Sequence, residues 1–355
     1  MDRLKKMSKN TKSNLITYGI AAAAFVIMQI LISTGNISSL LEGLMVPLCI
    51  YVILAVSLNL VVGFLGELSL GHAGFMCVGA FASSFFSKCM RDVITIDGLR
   101  FFFALLIGVA VAAVFGIIIG IPALRLKGDY LAIVTLAFGE IIKNLVNVLY
   151  IGKDSNGFHF STKDVMALNM EADGTVIVYG PQGITGTPKD STFLIGFLLV
   201  LVTLFVVMNL VNSRDGRAIM SIRDNRIAAE SVGINITKYK LMAFTVSAAL
   251  AGAAGVLYAH NLSTLTANTN NFGYNQSIMI LVFVVLGGIG SIRGSMIAAV
   301  ILTLLPEMLR GLSDYRMLIY AIVLIIMMLF NWAPKAVQWR EKYLTFGRKK
   351  KEAVK

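Results

Sequence analysis

The chain has 355 residues, of which 57% are hydrophobic and 14% charged, against about 45–50% and about 25% in soluble domains. Its net charge is +12 and its mean hydropathy is +0.79. These values exclude a string of soluble domains and place the chain among polytopic membrane proteins, where basic loops on one side account for the charge without nucleic acid.

Residues 1–12 carry five cations, and the apolar run Leu15–Ser33 follows with no A-x-A cleavage site. A retained first span is therefore expected, not a signal peptide. A spanning helix needs about 20 mostly apolar residues. Charge-free gaps supply them at Ser13–Leu41, Gly43–Gly66, Leu68–Ser87, Phe101–Leu124, Ser191–Ser213, Leu241–Ile292, Gly294–Pro306 and Met317–Pro334. Asp129–Tyr150 is a further span, interrupted by Glu140 and Lys143. The gap after Lys240 is too long for one helix, and the polar run Asn261–Asn271 divides it. The expected fold is an all-α polytopic membrane protein of about ten helices, some short or broken. The range of eight to ten turns on Leu68–Ser87 and Gly294–Leu309.

Gly63, Gly66 and Gly71 interrupt one apolar region, with Glu67, Ser69 and His72 among them. Glycines release the backbone from helical geometry, and irregular backbone at membrane depth is tolerated only where protein or a wet cavity satisfies it. Half-helix ends suit a zwitterion. Gly63–His72 is thus a candidate pathway wall, set against close helix packing through small residues. Gly116–Gly120 and the pair Ala251 with Gly255 read as packing. Glu140 is an intramembrane carboxylate, which suggests function, or else a pair with Lys143 three residues on. His72 reads as a hydrogen-bonded structural histidine, since no second His or Cys stands at ligand spacing. Cys49, Cys77 and Cys89 are scattered and read as small apolar fillers, so no metal site is expected.

The loop 151–190 holds three cations and five carboxylates. Gly180–Gly186, with Pro181, is a tight turn at its end. Gly183, Thr185 and Gly186 could receive an external partner protein, lie at the pathway mouth, or belong to an ordinary solvent loop. The loop 212–240 holds six cations between two highly apolar regions. Asp215 and Gly216 open an expected helix from Arg217 to about Ser231, and Gly233 stops it in a left-handed conformation. Ile219, Ile222, Ala229 and Val232 form its apolar side. Such a helix fits a groove on a cytosolic partner, or lies on lipid. The tail 335–355 carries eight cations and lies near anionic lipid. With ten spans, every strongly basic segment falls on one side, together with both termini. That side is read as cytoplasmic, with 151–190 external and 13–334 forming the permease domain.

Five stretches resemble the permeases of branched-chain amino-acid ABC importers of the LivM type. They are Asn59–Phe75, Leu124–Ile141, Gly180–Gly186, Gly216–Asn235 and Gly287–Gly294. The resemblance implies a subunit of the bacterial inner membrane that moves leucine, isoleucine or valine inward and is not itself an enzyme. Its implied partners are two ATP-binding subunits, a sister permease in a heterodimer and an external solute-binding protein. ATP and Mg would be bound by those partners, leaving no cofactor here. Arg217, Arg223, Asp224, Asn225, Ala228, Ala229 and Gly233 would then carry the ATPase contact. One departure is Ser295-Met-Ile-Ala-Ala299 after Gly294, where relatives usually place Pro or Gly; it bears on the packing of the next helix.

Three rival readings remain. Urea, short amides or another amino acid could be the solute. An ion-coupled secondary transporter could use Glu140 or Glu67. An enzyme would need Ser69, His72 and Glu140 to converge, although Glu67 stands where a nucleophile elbow requires glycine. No G-x-x-x-x-G-K-[ST] occurs, so uphill transport needs a partner as motor.

Overall fold

The computed structural model describes residues 9–34, 39–91, 93–126, 128–171, 174–309 and 315–332. Residues 1–8 of the basic N-terminal stretch and the tail 335–355 lie outside the described residues. Among the described residues, ten helices fall within the apolar stretches. They are α1 (Lys9–Ser33), α2 (Ser39–Asn59), α3 (His72–Cys89), α4 (Asp97–Ala123), α5 (Asp129–Val148), α6 (Phe193–Asn212), α9 (Ile236–Ala259), α11 (Tyr274–Gly287), α12 (Ile292–Met308) and α13 (Arg316–Trp332). Five helical stretches among the described residues are long and apolar enough to cross a membrane: Leu41–Leu65, Asp97–Ala123, Tyr130–Val148, Phe193–Asn212 and Ile236–Ala259.

Helix α9 is the axis of the bundle and packs most extensively against α3 and α4. Small residues let these backbones approach. On α4, Ala104, Gly108, Ala112, Gly116 and Gly120 recur every fourth residue and are all buried. A methyl group on Gly116 would lie 2.7 Å from the Ala248 Cβ, and one on Gly79 2.4 Å from the Gly252 carbonyl oxygen. One on Gly255 would lie 2.1 Å from the Met76 carbonyl oxygen. The small-residue stripes on α4 and α9 are packing surfaces, as their spacing suggested. The buried cysteines Cys49, Cys77 and Cys89 fill this interior as free thiols.

The all-α expectation needs one correction. Residues 150–185 fold around short strands, β1 (Tyr150–Asp154), β2 (Gly157–Ser161), β3 (Thr175–Tyr179) and β4 (Ile184–Thr185). β1 pairs antiparallel with both β2 and β3. Asp154 makes the hairpin: its Oδ1 accepts from the amides of Asn156 (2.9 Å) and Gly157 (3.0 Å), closing an Asx turn. Burial pushes the Asp154 carboxyl up, but bonds from the Glu171 and Asn156 amides and from His159 outweigh it and hold it below the usual carboxylate value. The polar run after α9 also contains β5 (Thr264–Leu265), which pairs with β4, and the single turn α10 (Thr269–Phe272). The basic loop forms α7 (Arg214–Asp224) and α8 (Arg226–Ser231).

Candidate functional site

The break between α2 and α3 organises the site. The end of α2 widens into a π-helical turn over Leu60–Leu65, a feature frequent at functional positions. Gly66 then turns left-handed at φ +79, and the Glu67 amide returns to the Val61 carbonyl at 3.1 Å. The chain runs as irregular backbone through Gly71 before α3 begins at His72. Such backbone must be satisfied by its surroundings. The Leu70 amide donates to Thr135 Oγ1 of α5 at 3.0 Å, and the Ala73 amide donates to Ser277 Oγ of α11 at 3.1 Å. His72 Nε2 and Ser57 Oγ are 2.7 Å apart. His72 is hydrogen-bonded as expected.

Gly63 is locked into a junction of three segments. A methyl group there would lie 1.9 Å from Asn59 Oδ1 and 2.4 Å from the Gly290 amide nitrogen. Asn59 accepts from the Gly290 amide (2.9 Å) and donates to Ser295 Oγ (3.0 Å). That bond answers the doubt raised by the residues after Gly294: Ser295 is a buried anchor, and α12 continues past it. Gly63, Ser69, Gly71 and His72 are all buried beneath the chain's own helices. As wall residues they would act from behind, shaping the break. The exposed part of the break is Gly66 and Leu68.

The basic loop departs from its expected shape. A single helix from Arg217 to about Ser231 becomes two, because Asn225 is extended and its side chain caps Ala228 N. Ser213 caps the first helix at Gly216 N. Gly233 ends the second at φ +86, the left-handed stop that was expected. The expected apolar side does not face outward as a unit. Ile219, Ile222 and Ala229 are buried, with Ile222 and Ala229 in a small cluster with Ile236, Ile234 and Tyr239. Ala229 is only 3% exposed and Val232 is 75% exposed. Ala229 therefore anchors α8 to its own chain and presents no contact surface, a correction to its expected role. The outward apolar residues are Val232 and Ile227, the latter 80% exposed. Ile227 was missed because it lies off the presumed stripe. Arg217, Asp224, Asn225 and Ala228 are exposed.

Arg223 joins loop and break. Its Nη1 donates to the Gly63 carbonyl at 2.9 Å, while its Nη2 meets Asp224 Oδ1 at 3.0 Å. Its stem crosses Gly66, where a methyl group would fall 2.5 Å from Arg223 Cγ. A cleft of about 250 Å³ lies here, lined by Leu65, Gly66, Glu67, Gly128, Ile222, Arg223, Arg226 and Lys240. Glu67 and Lys240 form an ion pair across it. The candidate partner residues and the candidate wall residues, read separately in the sequence, meet at this point.

Glu140 lies elsewhere. Its Oε2 pairs with Lys143, which also donates to Thr269 Oγ1 at 3.2 Å. Its Oε1 accepts from the Tyr274 amide at 2.8 Å, at the N-terminus of α11. A carboxylate there complements the helix dipole. Ser69, His72 and Glu140 do not converge: His72 bonds to Ser57, and Glu140 to Lys143 and Tyr274. At the opposite end, Gly183 (φ +70) packs under the Leu265 carbonyl. Thr185 pairs with Thr264, and the Gly186 amide donates to Ser263 at 2.9 Å. The turn is thus joined to the segment after α9 and is no free solvent loop.

An apolar bundle with five helices long enough to cross a membrane, one of them ending in a break held by a basic loop, is the frame of a polytopic membrane protein. The chain belongs to the family described as branched-chain amino acid transport system, permease component, whose profile matches residues 40–330. It is 36% identical over 297 residues to the high-affinity branched-chain amino acid transport system permease protein LivM of Salmonella typhimurium, covering 81% of this chain and 67% of that one. The LivM protein of Escherichia coli is also 36% identical, over 298 residues with the same coverage. The ribose import permease protein RbsC of Escherichia coli is 27% identical over 289 residues, covering 79% and 81% of the two chains. No solved structure matches.

Proposed function

We propose that the chain is the membrane subunit of an ATP-driven importer that carries branched-chain amino acids into the cytoplasm. Loop 212–240 faces the cytoplasm together with both termini, the chain crosses about ten times, and 151–190 faces outward. It pairs with a sister permease, receives its solute from an external binding protein and is driven by two ATP-binding subunits that hold ATP and Mg. The solute assignment is supported by greater identity to the LivM proteins than to the ribose permease. The path follows the break Gly63–His72, with Gly183–Gly186 at its outer mouth.

One observation carries the reading: Arg223 on the loop holds the Gly63 carbonyl in the break. A force applied to α7 and α8 therefore reaches irregular backbone directly. Ile227, Ala228 and Val232 offer the exposed apolar face that a partner's groove needs. A coupling-ion reading finds less support, because Glu140 and Glu67 are both paired with lysines. The test is Ile227→Glu. It should cut co-purification of the ATP-binding subunits at least about tenfold, since a charge is forced into an apolar contact, while the chain stays in the membrane. Undiminished co-purification would overturn the docking assignment.

A further inference from the structure

The Glu67–Lys240 pair joins the break to the start of α9. Lys240 stands in the first turns of α9, at the end of the basic loop, and is only 4% exposed. Glu67 is the first residue beyond the left-handed turn at Gly66. Withdrawing two charges from water is costly, and well-packed apolar residues generally serve stability as well. Position offers a better reason for the pair. Arg223 and Lys240 bracket residues 224–239, so that segment of the loop is fastened at both ends. Both fastenings land on the same short stretch, Gly63 for Arg223 and Glu67 for Lys240. Between them lies the 250 Å³ cleft rather than packed side chains. Beyond the break, Leu70 and Ala73 pass the connection to α5 and α11.

We propose that Glu67 and Lys240 are positioning residues that form, with Arg223, a two-point linkage converting motion of the loop into rotation of the α2–α3 break. A single tether transmits a pull along one line, whereas two tethers at separate points transmit a turn. The cleft gives the loop room to move as a body. This inference rests on the proposed coupling of the loop to ATP-binding partners.

The test uses the complete transporter in proteoliposomes, reading solute moved per ATP hydrolysed. Glu67→Gln and Lys240→Met should each lower that ratio about tenfold, within the range typical of linked sites, with ATP hydrolysis and subunit stoichiometry retained. The exchange Glu67→Lys with Lys240→Glu should restore most of the ratio. The apolar pair Glu67→Met with Lys240→Met guards against misfolding: it should assemble normally and remain uncoupled. An unchanged ratio in the single variants, a normal ratio in the Met pair, or no recovery in the exchange would each overturn the linkage. Failure of the unaltered chain to retain ATP-binding subunits would instead overturn the functional reading beneath it.

Discussion

Two regions of this protein are rich in glycine, and they use it in opposite ways. On α4 and α9 the buried glycines recur at helical spacing, the helices stay continuous, and each missing side chain admits atoms of a neighbouring helix. At Gly63, Gly66 and Gly71 the spacing is irregular and the helix opens, turns left-handed and continues as irregular backbone to the start of α3. Glycine in the first region is a packing device. In the second it permits a break that other residues then hold. Spacing separates the two uses, and abundance does not.

The largest effect is expected at Gly63→Ala. The added methyl falls 1.9 Å from Asn59 Oδ1 and 2.4 Å from the Gly290 amide. Uptake should be abolished, even in the fraction that reaches the membrane. Gly252→Ala is the matching change in the packed region, placing a methyl 2.4 Å from the Ala112 Cβ. It should cost about 1–3 kcal/mol through overpacking, lowering abundance and thermal midpoint while uptake per folded molecule holds. If Gly252→Ala instead damages turnover as Gly63→Ala does, the two regions are not distinct.

A smaller effect is expected at Glu140→Gln. The amide oxygen can still accept from Tyr274, but Lys143 loses its counter-charge. Stability should fall by about 1–3 kcal/mol, read from thermal unfolding in detergent, with uptake per folded molecule nearly unchanged. Lost uptake at full stability would return Glu140 to a direct part in solute passage. The smallest effect concerns the strands. Asp154 has a folded pKa below its unfolded value near 3.9. Its contribution is therefore complete above that value and is lost as pH falls below about 4, through the folded pKa. Amide exchange in β1–β3 should rise there and not between pH 7 and 5, and Asp154→Asn should remove the step.

The sequence carries the helices well, because charge-free length and periodicity report burial directly. It also locates the break, since Gly63, Gly66 and Gly71 stand where continuous helix is impossible to maintain cheaply. It hides the strands 150–185, whose short runs carry little hydropathy contrast and depend on Asp154 bonds to Asn156, Gly157 and Glu171. It misorients the loop helix, because an apolar stripe does not say whether its cover is the chain itself or a partner. Ile219, Ile222 and Ala229 turn inward. The pairing of Glu67 with Lys240 spans 173 positions. Only the fold brings those two residues together.

The β4–β5 pair gives the exposed residues Thr162–Ala167 unusual licence. Ile184 and Thr185 are fastened to Leu265 and Thr264 whatever lies upstream. Lys88 separately ties β3 to α3 through the Val176 and Ile177 carbonyls. Chain added among these exposed residues would chiefly alter loop closure, at about 0.6 kcal/mol for each doubling of length. Natural variation in size can therefore accumulate in this one stretch, leaving the fastened turn beside it in place.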